Sequence, residues 1–295
     1  MKASFYKSYR QSGFTLVELI MVIALAGIVA VMISTVMSRP LQGFADQSRR
    51  AELTDLAAMA LNRMARDIRL AVPNSVRNEE VCPASGCRTL ELLAISEGGR
   101  YRANKWSVNG ERYDPPRLGD CVTKSANECA IEILGPPISL NSAHWLIVYN
   151  TTPEDIWMQS KRASPSTIAE ITEAELIPAA GIQPQQLVIK NSAASHFNFK
   201  YASPQKRLYL ADKVVGYRCG GGKLMRSEYS ELLDSYVYED KSPVVVDHVD
   251  CAKSSFTYEP GTNTRNGLVT LRLTLRDEAG ETITLLQQVH VDNAP

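Results

Sequence analysis

Hydrophobic and polar positions alternate on three different periods along this chain. From Phe14 to Met37 almost every residue is apolar, and Glu18 is the one ionisable side chain. An apolar helix of about 20 residues spans the hydrocarbon core of a bilayer, so this run predicts a membrane-length helix. After Arg39-Pro40 the period changes. Leu53, Leu56, Ala60, Leu61, Met64 and Ile68 recur at helical spacing, with Arg49, Arg50, Asp55, Arg63, Arg66 and Asp67 mostly off that stripe. An amphipathic helix to about Leu70 is expected, its apolar face covered by a sheet, with Met59 and Met64 as core filler. Pro40 removes a backbone donor and crowds the preceding turn, which predicts a kink or a locally melted segment, or else the end of the first helix. Gly27 and Gly43 are weaker points. The helix should stop at Ala71-Val72-Pro73-Asn74-Ser75, because the residue before a proline disfavours the α region and Pro-Asn-Ser is turn chemistry.

Beyond Pro73 the pattern is β and loop. Leu90–Ile95 and Trp145–Tyr149 are short apolar runs bounded by polar residues. Arg207–Asp212 and Val214–Arg218 read as two strands around a tight turn. Leu268–Arg276 alternates well, Asp277-Glu278-Ala279-Gly280 makes a turn, and Thr282 to Val291 returns as a hairpin partner. The stretch from Ser160 to Ser195 reads as long insertions with a short helix at Ile168–Leu176. A helix followed by antiparallel strands is an α+β arrangement.

Charge adds direction. Lys2, Lys7 and Arg10 precede the apolar run, and no acid comes before Glu18. By the positive-inside rule the N-terminus stays cytoplasmic and the remainder is exported. A cleaved secretory signal would have a shorter apolar region, about 7–15 residues, and a small-residue cut site. A plain anchor leaves Glu18 unexplained, since a carboxylate in hydrocarbon costs roughly 2.5–3.5 kcal/mol on insertion scales and needs a partner. Over the 295 residues, 32 Lys plus Arg balance 32 Asp plus Glu. That zero net charge argues against a nucleic-acid binder and suits a protein that packs against copies or relatives of itself.

Gly13-Phe14-Thr15-Leu16-Val17-Glu18, after a basic leader and before a long apolar helix, resembles the class III signal of type IV prepilins and pseudopilins. The resemblance implies a leader at residues 1–13, removed by a prepilin peptidase that cuts after Gly13 and N-methylates Phe14. It implies a transmembrane and polymerisation helix at 14–37, an amphipathic continuation at 38–72, and a globular β-rich periplasmic domain at 73–295 with the pilin αβ-roll. Glu18 would neutralise the N-terminal amine of a neighbouring subunit; a pair within one chain, at i and i+4, is the alternative. The implied partners are other pilins, the prepilin peptidase and the inner-membrane assembly machinery. The implied location is the inner membrane, then the pilus at the cell surface.

Leu61–Pro73 is similar to the end of the long helix in larger minor pilins of the PilW-like group and in J-type minor pseudopilins of type II secretion. With Pro73–Arg77 and Gln288–Asp292 it looks most like the MshO-type minor pilins of the mannose-sensitive haemagglutinin (MSHA) pilus. The expected function is thus a minor pilin in an initiating or tip complex. The alternatives are a J-type pseudopilin and a pilus-borne adhesin subunit.

Six cysteines in an exported domain predict three disulfides, of 15 possible pairings. Pairing of sequence neighbours gives Cys82–Cys87, Cys121–Cys129 and Cys219–Cys251. A zinc site is the rival, but the Cys121–Cys129 spacing does not fit one. His144, His196, His248 and His290 are scattered without a metal or catalytic arrangement. Gly220-Gly221-Gly222-Lys223 lacks the spacing of a phosphate loop and reads as a turn. Asp247, Asp250 and Asp292 could ligate calcium, yet no calcium-loop signature accompanies them. Trp106, Trp157, Tyr236 and Tyr238 belong either to contact patches or to the core. No enzyme activity, metal or cofactor is expected.

Overall fold

The structure, a computed structural model, describes residues 13–78, 88–102, 104–105, 112–118, 130–140, 142–181, 184–190, 197–236, 242–262 and 265–291. The chain divides into two compact units, Met1–Glu52 and Leu53–Pro295. One helix assignment, α1 (Leu16–Arg69), contributes to both.

In the first unit the backbone stays helical through Pro40 and Gly43. Pro40 therefore neither ends the helix nor melts it. The proline forfeits one N–H donor, and the hydrogen bonds of the flanking turns are enough to carry the helix past it.

In the second unit Leu53, Ala57, Ala60, Leu61, Met64, Ala65 and Ile68 are buried along one face of α1. Three of these are alanines, which let the helix axis approach its neighbours closely. Met64 and Ile68 are completely buried, each contributing about 1.5–3 kcal/mol by removal from water. Met59, expected in the core, is 69% exposed. At 100° per residue it falls on the opposite side from Leu61. The helix exit leads directly into pairing. Ile95 N–H donates to Leu70 O and Val72 N–H to Leu93 O, both at 2.8 Å.

The strands are β1 (Thr89–Arg102), β2 (Asn104–Lys105), β3 (Arg112–Tyr113), β4 (Arg117–Leu118), β5 (Ile131–Leu134) and β6 (Trp145–Ile147). A short helix α2 (Glu154–Trp157) follows, then β7 (Ile168–Glu170), β8 (Glu173–Ile177), β9 (Gln186–Lys190) and β10 (Phe197–Asn198). The rest are β11 (Arg207–Gly220), β12 (Lys223–Tyr229), β13 (Val244–Val246), β14 (Ser255–Glu259), β15 (Leu268–Arg276) and β16 (Thr282–His290). The large sheet has the order β13-β12-β11-β1-β5-β9-β8, with β6 bridging β11 and β7. The C-terminal sheet is β14-β15-β16. All these strand pairs are antiparallel, so the fold is α+β with long loops.

Two local expectations are corrected. Arg207–Gly220 is one strand of 14 residues rather than two around a turn. Asp212 on β11 and Ser96 on β1 are each left out of the register, and the two irregularities offset one another so that both strands continue. Residues 168–177 form β7 and β8, not a helix. β7 is held by β6 and β8 by β9, so strand partners override the helix preference of Ala, Glu and Leu.

Among the described residues the core has three parts. The first lies among α1, the large sheet and the C-terminal sheet, with Met64, Leu92, Tyr217, Phe256 and Leu271 at its centre. The second gathers Tyr101, Ile133, Leu146, Leu187 and Leu208 at the far end of the large sheet. The third places Leu93, Ile147, Ile156, Trp157 and Val214 against α2.

Candidate functional site

The first unit carries the segment that the sequence singles out. Gly13, Phe14 and Thr15 lead into α1 in non-helical conformation, and Phe14 is 83% exposed. Thr15 is the cap. Its Oγ1 accepts the Glu18 backbone N–H at 3.3 Å, and its carbonyl accepts the Leu19 N–H at 3.2 Å. Thr-x-x-Glu at a helix start is the capping-box pattern, so this carboxylate sits in the first turn, where the partial positive end of the helix favours it. From Leu16 to Met37 the helix is apolar, with mean hydropathy 2.9, and none of it is covered. That is a continuous bare apolar surface, which water does not support on a monomer. Thr35 Oγ1 is satisfied locally, donating towards the carbonyls of Val31 and Met32 at 3.0 Å each. A cut after Gly13 would place a new amine on Phe14, about 6 Å of helical rise before Glu18.

In the second unit the turn after α1 is a hub. Asn74 takes φ 53°, a left-handed conformation that asparagine tolerates. Its Oδ1 accepts the Gly261 N–H at 3.0 Å and the Tyr258 hydroxyl at 3.2 Å. Burial pushes the Tyr258 phenol up to about 12. Asn150 Nδ2 donates to Pro73 O at 2.8 Å, and Trp157 Nε1 to Ser75 O at 2.8 Å. Trp157 is therefore a core residue.

Two residues beyond the hub, Arg77 meets Glu91, which is completely buried on β1. Arg77 Nε and Nη2 reach Glu91 Oε2 at 2.6 and 2.5 Å. The same guanidinium stacks 3.8 Å from the Trp157 ring centre and donates to Leu233 O and Asp234 O. Glu91 Oε1 is buried with no hydrogen-bond donor among the described residues. Burial raises the Glu91 carboxyl to about 7 even though Arg77 pulls the other way. A second link joins α1 to the sheet. Asp67 Oδ2 accepts from the Tyr217 hydroxyl at 2.6 Å and from Arg226 Nε at 2.7 Å. Tyr217 is held above its ordinary range, first by burial and then by Asp67. Sequence reading missed both links. Glu91 interrupts Leu90-Glu91-Leu92-Leu93, and a charge inside an otherwise buried run was the available signal.

Cys219 and Cys251 form a disulfide with Cα atoms 5.5 Å apart. Cys82, Cys87, Cys121, Cys129, Trp106, His196, Tyr238 and Asp292 lie outside the described residues. Gly221 and Gly222, at φ 59° and 74°, are the two-residue loop between β11 and β12. Positive φ at both positions is what a type I′ hairpin demands, so these glycines serve the turn. His144 edges against Trp145, His248 pairs with Asp247 at 2.9 Å, and His290 ends β16 exposed. Asp250 is occupied by the Ala252 N–H and by Lys253. Among the described residues no group of three or more His, Cys, Asp or Glu is arranged to hold a metal ion.

Residues 8–34 match the family model for the prokaryotic N-terminal methylation motif. The segment is a type IV pilin-like prepilin signal, which implies processing by prepilin peptidase and assembly with other pilins. No curated protein and no solved structure matches the chain.

Proposed function

We propose that this chain is a minor type IV pilin of MSHA type: a non-catalytic subunit, cut after Gly13, methylated on Phe14 and inserted into a filament through its apolar helix. One observation carries the reading. The matched signal opens a bare membrane-length helix, and the same chain continues into an amphipathic stretch whose apolar face is buried against an antiparallel head. Before assembly the helix anchors the subunit in the inner membrane, with the N-terminus cytoplasmic and the head periplasmic. In the filament, packing of neighbouring helices covers the surface that lipid covered before. Glu18 then meets the amine of an adjacent subunit, which fixes axial register and removes the cost of an unpaired carboxylate in an apolar bundle. A subunit that carries this carboxylate can sit below another one, consistent with a place inside an initiating or tip complex.

The test is the N-terminal residue of the membrane-extracted protein, read by mass spectrometry with and without prepilin peptidase. N-methyl-Phe14, lost without the peptidase, is expected. An intact Met1 start, or a cut near Met37, overturns the proposal. Recovery of the chain in sheared pili, and normal type II export without it, separates the pilus from the secretion pseudopilus.

A further inference from the structure

The outer end of the β1–β11 pair holds an arrangement that folding alone does not require. Arg100 on β1 lies directly opposite Arg207 on β11. Side chains of directly opposed residues start about 5 Å apart, and like charges there are destabilising. The Arg100 side chain is exposed, and among the described residues it has no ion pair or side-chain hydrogen bond. Arg207 is half-buried and is hydrogen-bonded to the side chain of Tyr209. Glu97 also lines the cleft, its Oε1 accepting the Ser139 hydroxyl at 2.6 Å, so one carboxylate stands beside two guanidinium groups and a formal excess of positive charge remains.

The two arginines open onto a cleft of about 430 Å³, walled by Gly98, Gly99, Pro136 and Pro137. Gly98 pairs with Tyr209, and a Cβ on Gly98 would stand 3.4 Å from the Tyr209 ring. The glycine keeps the floor flat and the tyrosine anchors one guanidinium at its edge. The prolines supply a rigid apolar wall beside it. Paired guanidinium forks match the oxygens of a carboxylate or phosphate, while a flat apolar wall suits the C–H face of a sugar ring.

We propose that this cleft binds an acidic sugar residue, with its anionic group between Arg100 and Arg207 and its ring against Gly98 and the Pro136-Pro137 wall. The proposal does not depend on the filament reading, and an unprocessed chain would carry the same site. The experiment titrates the full-length protein in neutral detergent with glucuronate, glucose 6-phosphate, glucose and inorganic sulfate, followed by ligand-observed NMR. Binding of glucuronate or glucose 6-phosphate with no binding of glucose is expected, and the two arms separate a carboxylate source from a phosphate source. Arg100→Gln should weaken that binding about tenfold, with Arg100→Lys intermediate because it keeps the charge and loses the fork. Both substitutions are at an exposed position, and unchanged circular dichroism checks the fold. No binding of either acidic sugar, or unaltered binding by Arg100→Gln, overturns the proposal. Sulfate binding as tightly as the sugars overturns the role given to the glycine and proline wall.

Discussion

Arg77 and Glu91 form an ion pair at 2.5 Å across an isolated bridge, with the carboxylate fully out of water. Removing Arg77 leaves the buried carboxyl without its partner, so that it must either take up a proton or stay as an uncompensated charge. Arg77→Ala also deletes the stacking on Trp157 and two hydrogen bonds to the 233–234 backbone. It should lower stability by about 3 kcal/mol, read as a fall in the midpoint of denaturant unfolding of the head.

The same pair gives a pH dependence. Folding raises the Glu91 carboxyl from 4.5 to about 7. Between those values the folded state holds a proton that the unfolded state has released. Stability therefore falls as pH climbs from about 4.5 to about 7, and this contribution is flat above that. Glu228, held low mainly by Arg226, and Asp247, held low mainly by His248, act in the opposite sense in more acidic solution. The measurement is thus a difference: the native chain minus Glu91→Gln should show the downward slope, and a flat difference would sink it.

Asp67 fastens α1 to the large sheet through one oxygen shared by Tyr217 and Arg226. Tyr217→Phe should cost about 1 kcal/mol and Asp67→Asn about 1–2 kcal/mol. Because both act on the same oxygen, the double variant should lose less than the two singles combined. Additive losses in a double-mutant cycle would show that the contacts are independent.

The Cys219–Cys251 bond closes a loop with a sequence separation of 32. A chain-entropy estimate for that loop is about 3–4 kcal/mol. Replacing both cysteines with alanine should lower the thermal midpoint of the head clearly, and a reductant should then have no further effect through this pair.

For Glu18 the expectation concerns assembly rather than folding. Thr15 still caps the helix through the Glu18 backbone when the side chain is shortened. Glu18→Ala should enter the membrane and be processed normally, while its recovery in sheared filaments drops. Normal recovery would remove the carboxylate from the assembly mechanism.

Much of this architecture was legible from local patterns. The stripe from Leu53 to Ile68 appears in the core, and the terminal hairpin pairs Leu268 with His290 through Arg276 with Thr282. These elements carry their own period, so no distant partner is needed to recognise them. What failed was set by partners far away. Residues 168–177 have helix-forming composition and become strands because β6 and β9 lie beside them. Asp212-Lys213 looked like a turn, yet β1 runs past both residues. Glu91 lies inside the apolar run Leu90–Ile95, and only the arrival of Arg77 and Trp157 shows how a carboxyl can be buried there. The prepilin signal was readable because it is recognised as a linear sequence, before any fold exists.

The central strand pair has a kinetic consequence. β1 and β11 join residues more than a hundred positions apart, from Thr89 with Arg218 to Arg100 with Arg207. Such long loops must close before the contacts that reward them form, which makes folding slow. As the chain emerges from its N-terminus, residues 70–77 can already line one edge of β1, but the edge that takes β11 waits unpaired until about residue 220 has followed. Throughout that interval a leucine-rich strand stands open to aggregation. A chaperone that shields residues 89–102, or a rate of emergence that shortens the wait, would govern the yield of mature subunit more than the final stability of the head.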